Sequence, residues 1–385
     1  MEYVRLKKVA KYPTGKLNSN AACEEGLYPF FTCSHDVYRI DSYAYDGEYV
    51  LLGGNNATGD FPIFYYNGKF EAYQRTYLIQ PVNKDMFSTR FLYYAIGEKL
   101  SLMQKNASGT ATKFLTKPII DNITIPDFSI DKQKSIASIL SAYDNLIENN
   151  NKRIRLLEQM AENLYKEWFV RFRFPGHENA EFKNGLPKGW KRVKICDVCN
   201  VTDGVHNTVI DVPQSKYFLL SSKNIKAGKI VIGDNERTID EDTFIKLRKR
   251  TKMSKGDILL SSVGTIGEVC LLNEEPSYYE FQRSVAIIKP DSSIANSCLL
   301  YEMFKVMRSD FVNASHGAAQ QCLFIGDLKK MKICLPSKTI SDLFGEKVQQ
   351  VYNLISSISE QNANLSRQRD LLLPRLMSGK LEVNI

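Results

Sequence analysis

The sequence lacks the marks of most catalytic machinery. It has no GxxxxGKS/T phosphate loop and no GxGxxG turn between a strand and a helix, so neither common nucleotide-phosphate cradle is encoded. HExxH is absent, and the four histidines, His35, His177, His206 and His316, stand apart without metal-ligand spacing. There is no Asn-Pro-Pro-aromatic run, the base-methylation site of amino-methyltransferases, and no paired-carboxylate nuclease motif with a nearby lysine. Cys196-Asp197-Val198-Cys199 is half a zinc site, with no second CxxC or HxxxH to complete it. The 8 cysteines are scattered below disulfide-scaffold density, which points to reduced thiols and a cytoplasmic setting. No apolar run approaches the ~20 residues needed to span a bilayer. The N-terminal MEYVRLKKVAKYPTG has no apolar signal core, so it is not expected to be a secretory signal; with no spanning run either, no membrane partner is expected.

What is present suits packed cores in about two domains: 43% hydrophobic and 24% charged residues in a chain of 385. The formal charge of +8 permits a polyanionic partner without requiring one.

The chain states nearly the same pattern twice. VRLKKVAKYPTG (4–15) aligns with VKICDVCNVTDG (193–204), ending on Gly15 and Gly204. GEYVLLGGNNATGDF (47–61) parallels GDILLSSVGTIGEV (256–269), and YQRTYLIQP (73–81) parallels FQRSVAIIKP (281–290). Asn106-Ala107-Ser108-Gly109 answers to Asn313-Ala314-Ser315-His316-Gly317, and Ile125-Pro126 to Leu335-Pro336. Five matches in one order, at offsets drifting only from 189 to 210, indicate an internal duplication. Within each copy, short apolar runs ending in Gly or Pro read as strands, among helical stretches such as 88–104 and 297–312. Strands and helices do not alternate cleanly, so each half is expected to be α+β.

A long helical pattern follows each copy. After Ser129 as N-cap and Asp131 in the first turn, no Gly or Pro interrupts the chain until Pro175-Gly176. A seam recurs in steps of four and three through Ile136, Leu140, Tyr143, Ile147, Asn150, Ile154, Leu157, Ala161, Leu164 and Trp168. Residues 131–169, at about 1.5 Å rise per residue, make a rod of about 58 Å. The second seam runs through Phe344, Val348, Val351, Ile355, Ile358, Asn362, Leu365, Arg369, Leu372 and Leu376. Thr339 with Asp342 resembles a capping box at its start. Pro374 is expected to bend or fray the last turn, and Gly379 to stop it.

Two matched seams in one chain most simply pair with each other, antiparallel. Each has its polar break near the middle, so Asn150 and Asn362 are expected to meet and fix register; the alternative is that Asn149, Asn150 and Asn151 form a solvated patch. The organisation expected is residues 1–128 and 175–336 as similar globular domains, with 129–174 and 337–385 as long helices. Two similar domains on a stiff bar suit a split duplex target, whose groove faces recur about every 34 Å. A pseudo-twofold axis would let partners attach in two copies.

Several residues are candidates for nucleic-acid contact, each with an ordinary alternative. TFIKLRKRTKMSK (243–255) carries Lys246, Arg248, Lys249 and Arg250, which either track a phosphate backbone or form a solvated face. Gly264-Thr265-Ile266-Gly267 either presents backbone N–H groups and Thr265 to a phosphate or is a tight turn between strands. Gly109, Thr110, Thr112 and Lys113 in the first copy, and His316, Gln320 and Gln321 in the second, sit in polar loops able to reach base edges. Gln74-Arg75 and Gln282-Arg283 carry base-reading side chains, yet as part of a shared strand they would be structural.

With these residues in view, the chain resembles the specificity subunits of type I restriction–modification enzymes. The resemblance rests on LYKEWFVRFRFPGHE (164–178), RDLLLPRLMSGKL (369–381) and GDILLSSVGTIGEV, and it spans the whole chain in the order domain, helix, domain, helix. LLGGNNATGDF is a looser copy of the last signature. The resemblance implies a subunit without catalytic activity, whose two target-recognition domains each read one half of a bipartite double-stranded DNA site. It implies that the helices set the spacer and dock two methylation subunits carrying S-adenosylmethionine, and that restriction subunits add ATP- and Mg-dependent translocation and cleavage. The chain itself would bind no cofactor. The competing readings are a stand-alone DNA-cleaving enzyme with an unrecognised site and a coiled-coil adaptor binding protein only.

Overall fold

The computed structural model describes residues 2–55, 59–106, 114–206, 208–233, 235–317 and 320–383. The chain forms two compact units, Met1–Asn150 with Gln361–Ile385, and Asn151–Glu360. The long helices are therefore not bodies of their own. Each contributes one half to each unit, because the apolar seam is buried with that unit's own core.

Unit 1 contains β1 (Tyr3–Arg5), α1 (Leu6–Val9), β2 (Ala10–Lys11), β3 (Tyr28–Phe31), β4 (Tyr38–Ile40), β5 (Tyr45–Gly53), β6 (Ile63–Ala72), β7 (Thr76–Pro81), α2 (Thr89–Asn106), α3 (Lys117–Asp121), β8 (Thr124–Pro126) and the first part of α4 (Ile130–Tyr165). Six strands form one sheet in the order β2-β7-β5-β6-β3-β4, antiparallel except for β3 beside β6. One face, through Val50, Leu52 and Ile79, packs in a core with Phe91, Ala95, Ile136, Leu140, Leu376 and Met377. The other face, through Leu51, Leu78 and Phe31, is covered by the unit's own aromatics, Phe70, Tyr45, Tyr49, Phe64 and Tyr66.

Unit 2 repeats the plan. Its strands are β9 (Phe182–Lys183), β10 (Leu186–Pro187), β11 (Lys191–Lys194), β12 (Cys199–Asp203), β13 (Tyr217–Leu220), β14 (Ile225–Lys226), β15 (Lys229–Ile230), β16 (Thr238–Ile239), β17 (Ile258–Ser261), β18 (Val269–Leu271), β19 (Tyr279–Phe281), β20 (Val285–Pro290) and β21 (Lys332–Leu335). Its helices are α5 (Glu241–Thr251), α6 (Ser297–Val306), α7 (Arg308–Asn313), α8 (Ile325–Lys330) and α9 (Lys338–Met377), whose C-terminal part belongs to unit 1. The single strand β6 of unit 1 corresponds to β18 and β19, which pair separately with β17 and β13. Pro276 lies in the break, where a residue without an N–H cannot continue a ladder. The second sheet face is covered here by Ile225, Ile230, Met253 and Leu272.

Within unit 1, Asn150 Nδ2 donates to Asn362 Oδ1 at 2.9 Å and to Gln361 Oε1 at 3.0 Å, and the Arg369 guanidinium meets Asp144 at 2.7 Å. Asn150 is buried although it is polar. Within unit 2, Ile154, Ala161 and Trp168 share one apolar cluster with Ile358, Tyr352 and Phe344. In both units α4 therefore runs antiparallel to α9. Ile147, Leu157 and Leu365 are half-buried on the same seams.

A phenol–carboxylate bond ties each long helix to its domain. Tyr94 Oη donates to Asp144 in unit 1, and Tyr352 Oη donates to Glu302 in unit 2. Tyr94 and Glu302 are equivalent in the duplication, as are Asp144 and Tyr352, so donor and acceptor have changed places between the copies. Burial, and then the neighbouring carboxylate, pushes both phenols well above their ordinary pKa.

The helix ends correct one expectation. α9 starts at Lys338 and is capped by Ser337, whose carbonyl accepts from Ser341 N at 3.0 Å, rather than by Thr339. Asp342 pairs with Lys338 across one turn. α9 runs through Pro374 to Met377, and Gly379 then takes a positive φ of 66°.

Candidate nucleic-acid interface

Gly204 fixes the centre of the candidate surface in unit 2. A Cβ there would lie 2.1 Å from Phe281 O and 2.4 Å from Gln282 O, so only glycine lets β12 run on past the end of β19. Beyond it, Val205 N donates to Phe281 O at 2.9 Å and Arg283 N to Val205 O at 3.0 Å. Ser262 N donates to Ser284 O at 2.9 Å, Leu323 N to Ser262 O at 2.8 Å and Gly264 N to Gln321 O at 3.1 Å. His316 and Cys322 exchange both backbone bonds, at 2.9 and 2.8 Å. Four loop segments, 204–206, 262–265, 282–284 and the described residues 316–317 with 320–323, are thus stitched into one edge by main-chain bonds.

Unit 1 builds the same edge with the same bonds. A Cβ on Gly15 would lie 2.2 Å from Ala72 O. Gln74 N donates to Leu17 O at 2.9 Å, Gly54 N to Arg75 O at 2.8 Å and Leu115 N to Gly54 O at 2.9 Å. These bonds correct the alignment of the two Gln-Arg pairs by one residue. Gln74 is the counterpart of Arg283 and Arg75 that of Ser284, because Thr76 and Val285 start equivalent strands. Neither pair lies within a strand; both lie in turns.

The side chains of this edge are amide, guanidinium and hydroxyl groups. Gln74 and Arg75 are exposed, and Gln74 Nε2 donates to Asn18 Oδ1 at 2.9 Å. Arg283, Gln320, Gln321 and Thr265 are exposed, and Gln282 is half-buried. Thr265 sits in a turn joining β17 to β18, with positive φ at Gly264 and Gly267. His316 stacks on Phe324 at 5.3 Å and lies 3.1 Å from Asp327. Gly109, Thr110, Thr112 and Lys113 lie outside the described residues. The residue that follows them, Phe114, bridges Asn55 beside the same edge of unit 1.

The basic run of 243–255 divides. Lys246 and Lys249 are exposed on α5. Arg250 is half-exposed and donates to Gly204 O at 2.8 Å, which anchors the end of α5 to the loop edge. Arg248 does not belong with them. A helix turns its side chains around the axis, and this one points inward. Its guanidinium pairs with the fully buried Glu280 and also donates to Pro276 O and, at 2.8 Å, to Tyr279 O. Thr251 Oγ1 donates to the same carboxylate at 3.1 Å. Burial raises the Glu280 pKa, while Arg248 opposes the rise. Arg248 is therefore a structural ion-pair partner.

Sequence reasoning missed Glu280 and its buried counterpart Glu71. The signal was the Phe70-Glu71 and Tyr279-Glu280 repeat just before each turn. It also missed Asn18, Asn55, Phe114, His206 and Phe324, all on or beside the loop edge. Cys196 is exposed, whereas burial pushes the Cys199 thiol up to about 12, so the two do not face a common site. Among the described residues no group of three or more His, Cys, Asp or Glu side chains could hold a metal ion. No helix among them is long and apolar enough to cross a membrane.

Comparison with known proteins agrees with this architecture. The family model of the type I restriction modification DNA specificity domain matches residues 1–159 and again 187–367, once in each copy of the duplication. The chain is 31% identical over 235 residues to the EcoDI specificity subunit of Escherichia coli, a match spanning 55% of this chain but only 51% of that protein. It is 23% identical over 405 residues to the MjaVIII specificity subunit of Methanocaldococcus jannaschii, across 99% of this chain and 93% of that one. The crystal structure of a type I restriction–modification S subunit from M. genitalium shares the fold, with a TM-score of 0.59 at 14% identity over 100% of this chain and 96% of that one. With the same model matched twice over most of its length, the chain belongs to the type I restriction–modification DNA specificity family.

Proposed function

We propose that this chain is the non-catalytic DNA-reading subunit of a type I restriction–modification complex in the cytoplasm. Each loop edge reads one half of a bipartite duplex site. The observation that carries the reading is the edge itself: the same main-chain stitching is built twice, around Gly15 and around Gly204, and dressed each time with different exposed polar side chains. A constant scaffold with variable amide, guanidinium and hydroxyl groups suits readout of two different base sequences. The paired helices set the gap between half-sites and dock two methylation subunits. S-adenosylmethionine then sits on those partners, and ATP and Mg on restriction subunits that join them. The free thiols of Cys199, Cys270 and Cys298 fit a reducing compartment.

Mapping methylated adenines in a host with and without this chain tests the reading directly. A split motif that appears only when the chain is present supports it. Methylation unchanged by the chain, or DNA cleavage by the purified chain alone, overturns it.

A further inference from the structure

The duplication equates each residue of α4 with one 208 positions later in α9. The equivalence is fixed at the helix starts, where Gln133 Oε1 accepts from Ser88 N and Ser341 Oγ accepts from Asn296 N, both at 3.0 Å. It makes Asn150 the counterpart of Ile358, Ile154 of Asn362, Asp144 of Tyr352 and Ala161 of Arg369. In an antiparallel pair related this way, contacts come in twins. The twin of Asn150 with Asn362 is Ile358 with Ile154, and the twin of Asp144 with Arg369 is Tyr352 with Ala161. The first member of each twin is polar and lies in unit 1; the second lies in the apolar cluster of unit 2.

Two copies of one helix cannot reproduce these matches. Two α4 helices in the same register would set Asn150 against Ile154 and Asp144 against Ala161, twice each. Two α9 helices would set Ile358 against Asn362 and Tyr352 against Arg369. Three of these four meetings set an amide or a carboxylate against an aliphatic side chain that cannot answer it, and the fourth gives Arg369 a neutral phenol in place of its carboxylate partner.

We propose that the α4 and α9 seams form a complementary code in which each half of the chain fits the other half and rejects a second copy of itself. The partner of each helix is thus defined by chemistry as well as by covalent linkage. A buried polar pair at one seam position is an established way to select pairing, and here the duplication leaves its apolar twin in the other unit. The inference rests on the observed helix contacts and is independent of the DNA reading.

The test uses the full chain with a protease site placed in the exposed Asn184-Gly185 turn between β9 and β10. The chain is folded, nicked, and allowed to exchange in moderate urea with a differently tagged copy, and native mass spectrometry counts the pairs. Unlike pairs should exceed like pairs by at least about tenfold. In the nicked variant Asp144→Ala/Asn150→Ile/Asn362→Ile/Arg369→Ala the proportions should approach random. Random pairing in the parent, or undiminished selectivity in the variant, overturns the proposal. If the nicked halves do not re-pair, the uncut chain decides. Reversing the order on one helix, as Asn150→Ile/Ile154→Asn or as Ile358→Asn/Asn362→Ile, should lower the urea midpoint, and reversing both should restore it. A doubly reversed protein no more stable than the single reversals overturns the proposal.

Discussion

Arg248→Ala separates a structural arginine from a DNA-contacting one. The substitution removes the charge partner of Glu280, which is fully buried on β19 beneath α5 and keeps only the neutral Thr251 hydroxyl and the Phe281 main-chain N–H. Removing one member of a buried ion pair costs about 3–5 kcal/mol, because the remaining charge stays in low dielectric. Against a usual stability of about 5–15 kcal/mol, that is a large fraction. The assay is built into the sequence: the chain has 2 tryptophans, Trp168 and Trp190, and both are buried in unit 2. Urea denaturation followed by their fluorescence therefore reports the affected unit. The pH dependence follows from Glu280. Its folded pKa already lies above the ordinary value because of burial. Without Arg248 it rises further, so the folded state binds the proton more tightly than the unfolded chain does. Stability of the variant should consequently improve relative to the parent as pH falls below neutral and Glu280 takes up its proton. Adding Glu280→Gln should recover much of the loss at neutral pH. A loss below about 1 kcal/mol, together with a DNA-binding salt dependence weaker by about one phosphate contact, would refute the reasoning and return Arg248 to the DNA face.

Other outcomes are equally specific. Gly204→Ala forces a methyl against Phe281 O and should cost about 3 kcal/mol, the upper end for overpacking, in the tryptophan-detected urea transition; an unshifted midpoint would show that the edge yields freely. Arg283→Ala should weaken duplex binding and reduce the slope of log affinity against log salt by about 0.9 if the side chain meets a phosphate, whereas an unchanged affinity removes it from the interface. Inserting seven residues at 152 in α4 together with seven at 360 in α9 preserves every seam pair and adds about 10.5 Å of helix. The gap between methylated half-sites should then lengthen by about three base pairs at ~3.4 Å each, with both half-sites unchanged. The same insertion in α4 alone shifts one side of the seam out of register and should cost stability, seen in the urea midpoint.

Much of this architecture was legible in local spacing. The duplication showed in glycines and strand-ending prolines, and the helices in steps of three and four. The Asn150–Asn362 contact followed from placing two polar breaks at the middle of antiparallel seams. What stayed hidden depended on partners far away in sequence. Arg248 reads as one more cation in a basic run until Glu280, 32 residues later, is seen beneath it. The Gln-Arg dipeptides look aligned because their letters agree, yet hydrogen bonds at the neighbouring strands place them one position apart. Ser337 displaced Thr339 as the cap of α9 because caps are decided by where the chain first turns. The loop edge itself emerges only when strands distant in sequence bring four turns together.

The exchanged phenol and carboxylate constrain how such chains can be shuffled. A recombinant that grafts the first domain onto the second helix would confront Tyr94 with Tyr352, losing the acceptor. The reciprocal product would confront the buried Glu302 with the half-buried Asp144, setting two carboxylates together. The two domains of this chain can therefore change places without this mismatch only when the crossover lies beyond residue 144 or 352, so that each keeps its own stretch of helix. Tyr94–Asp144 and Tyr352–Glu302 thus fit each domain to its own helix and mark a boundary across which the two halves of the chain are not interchangeable.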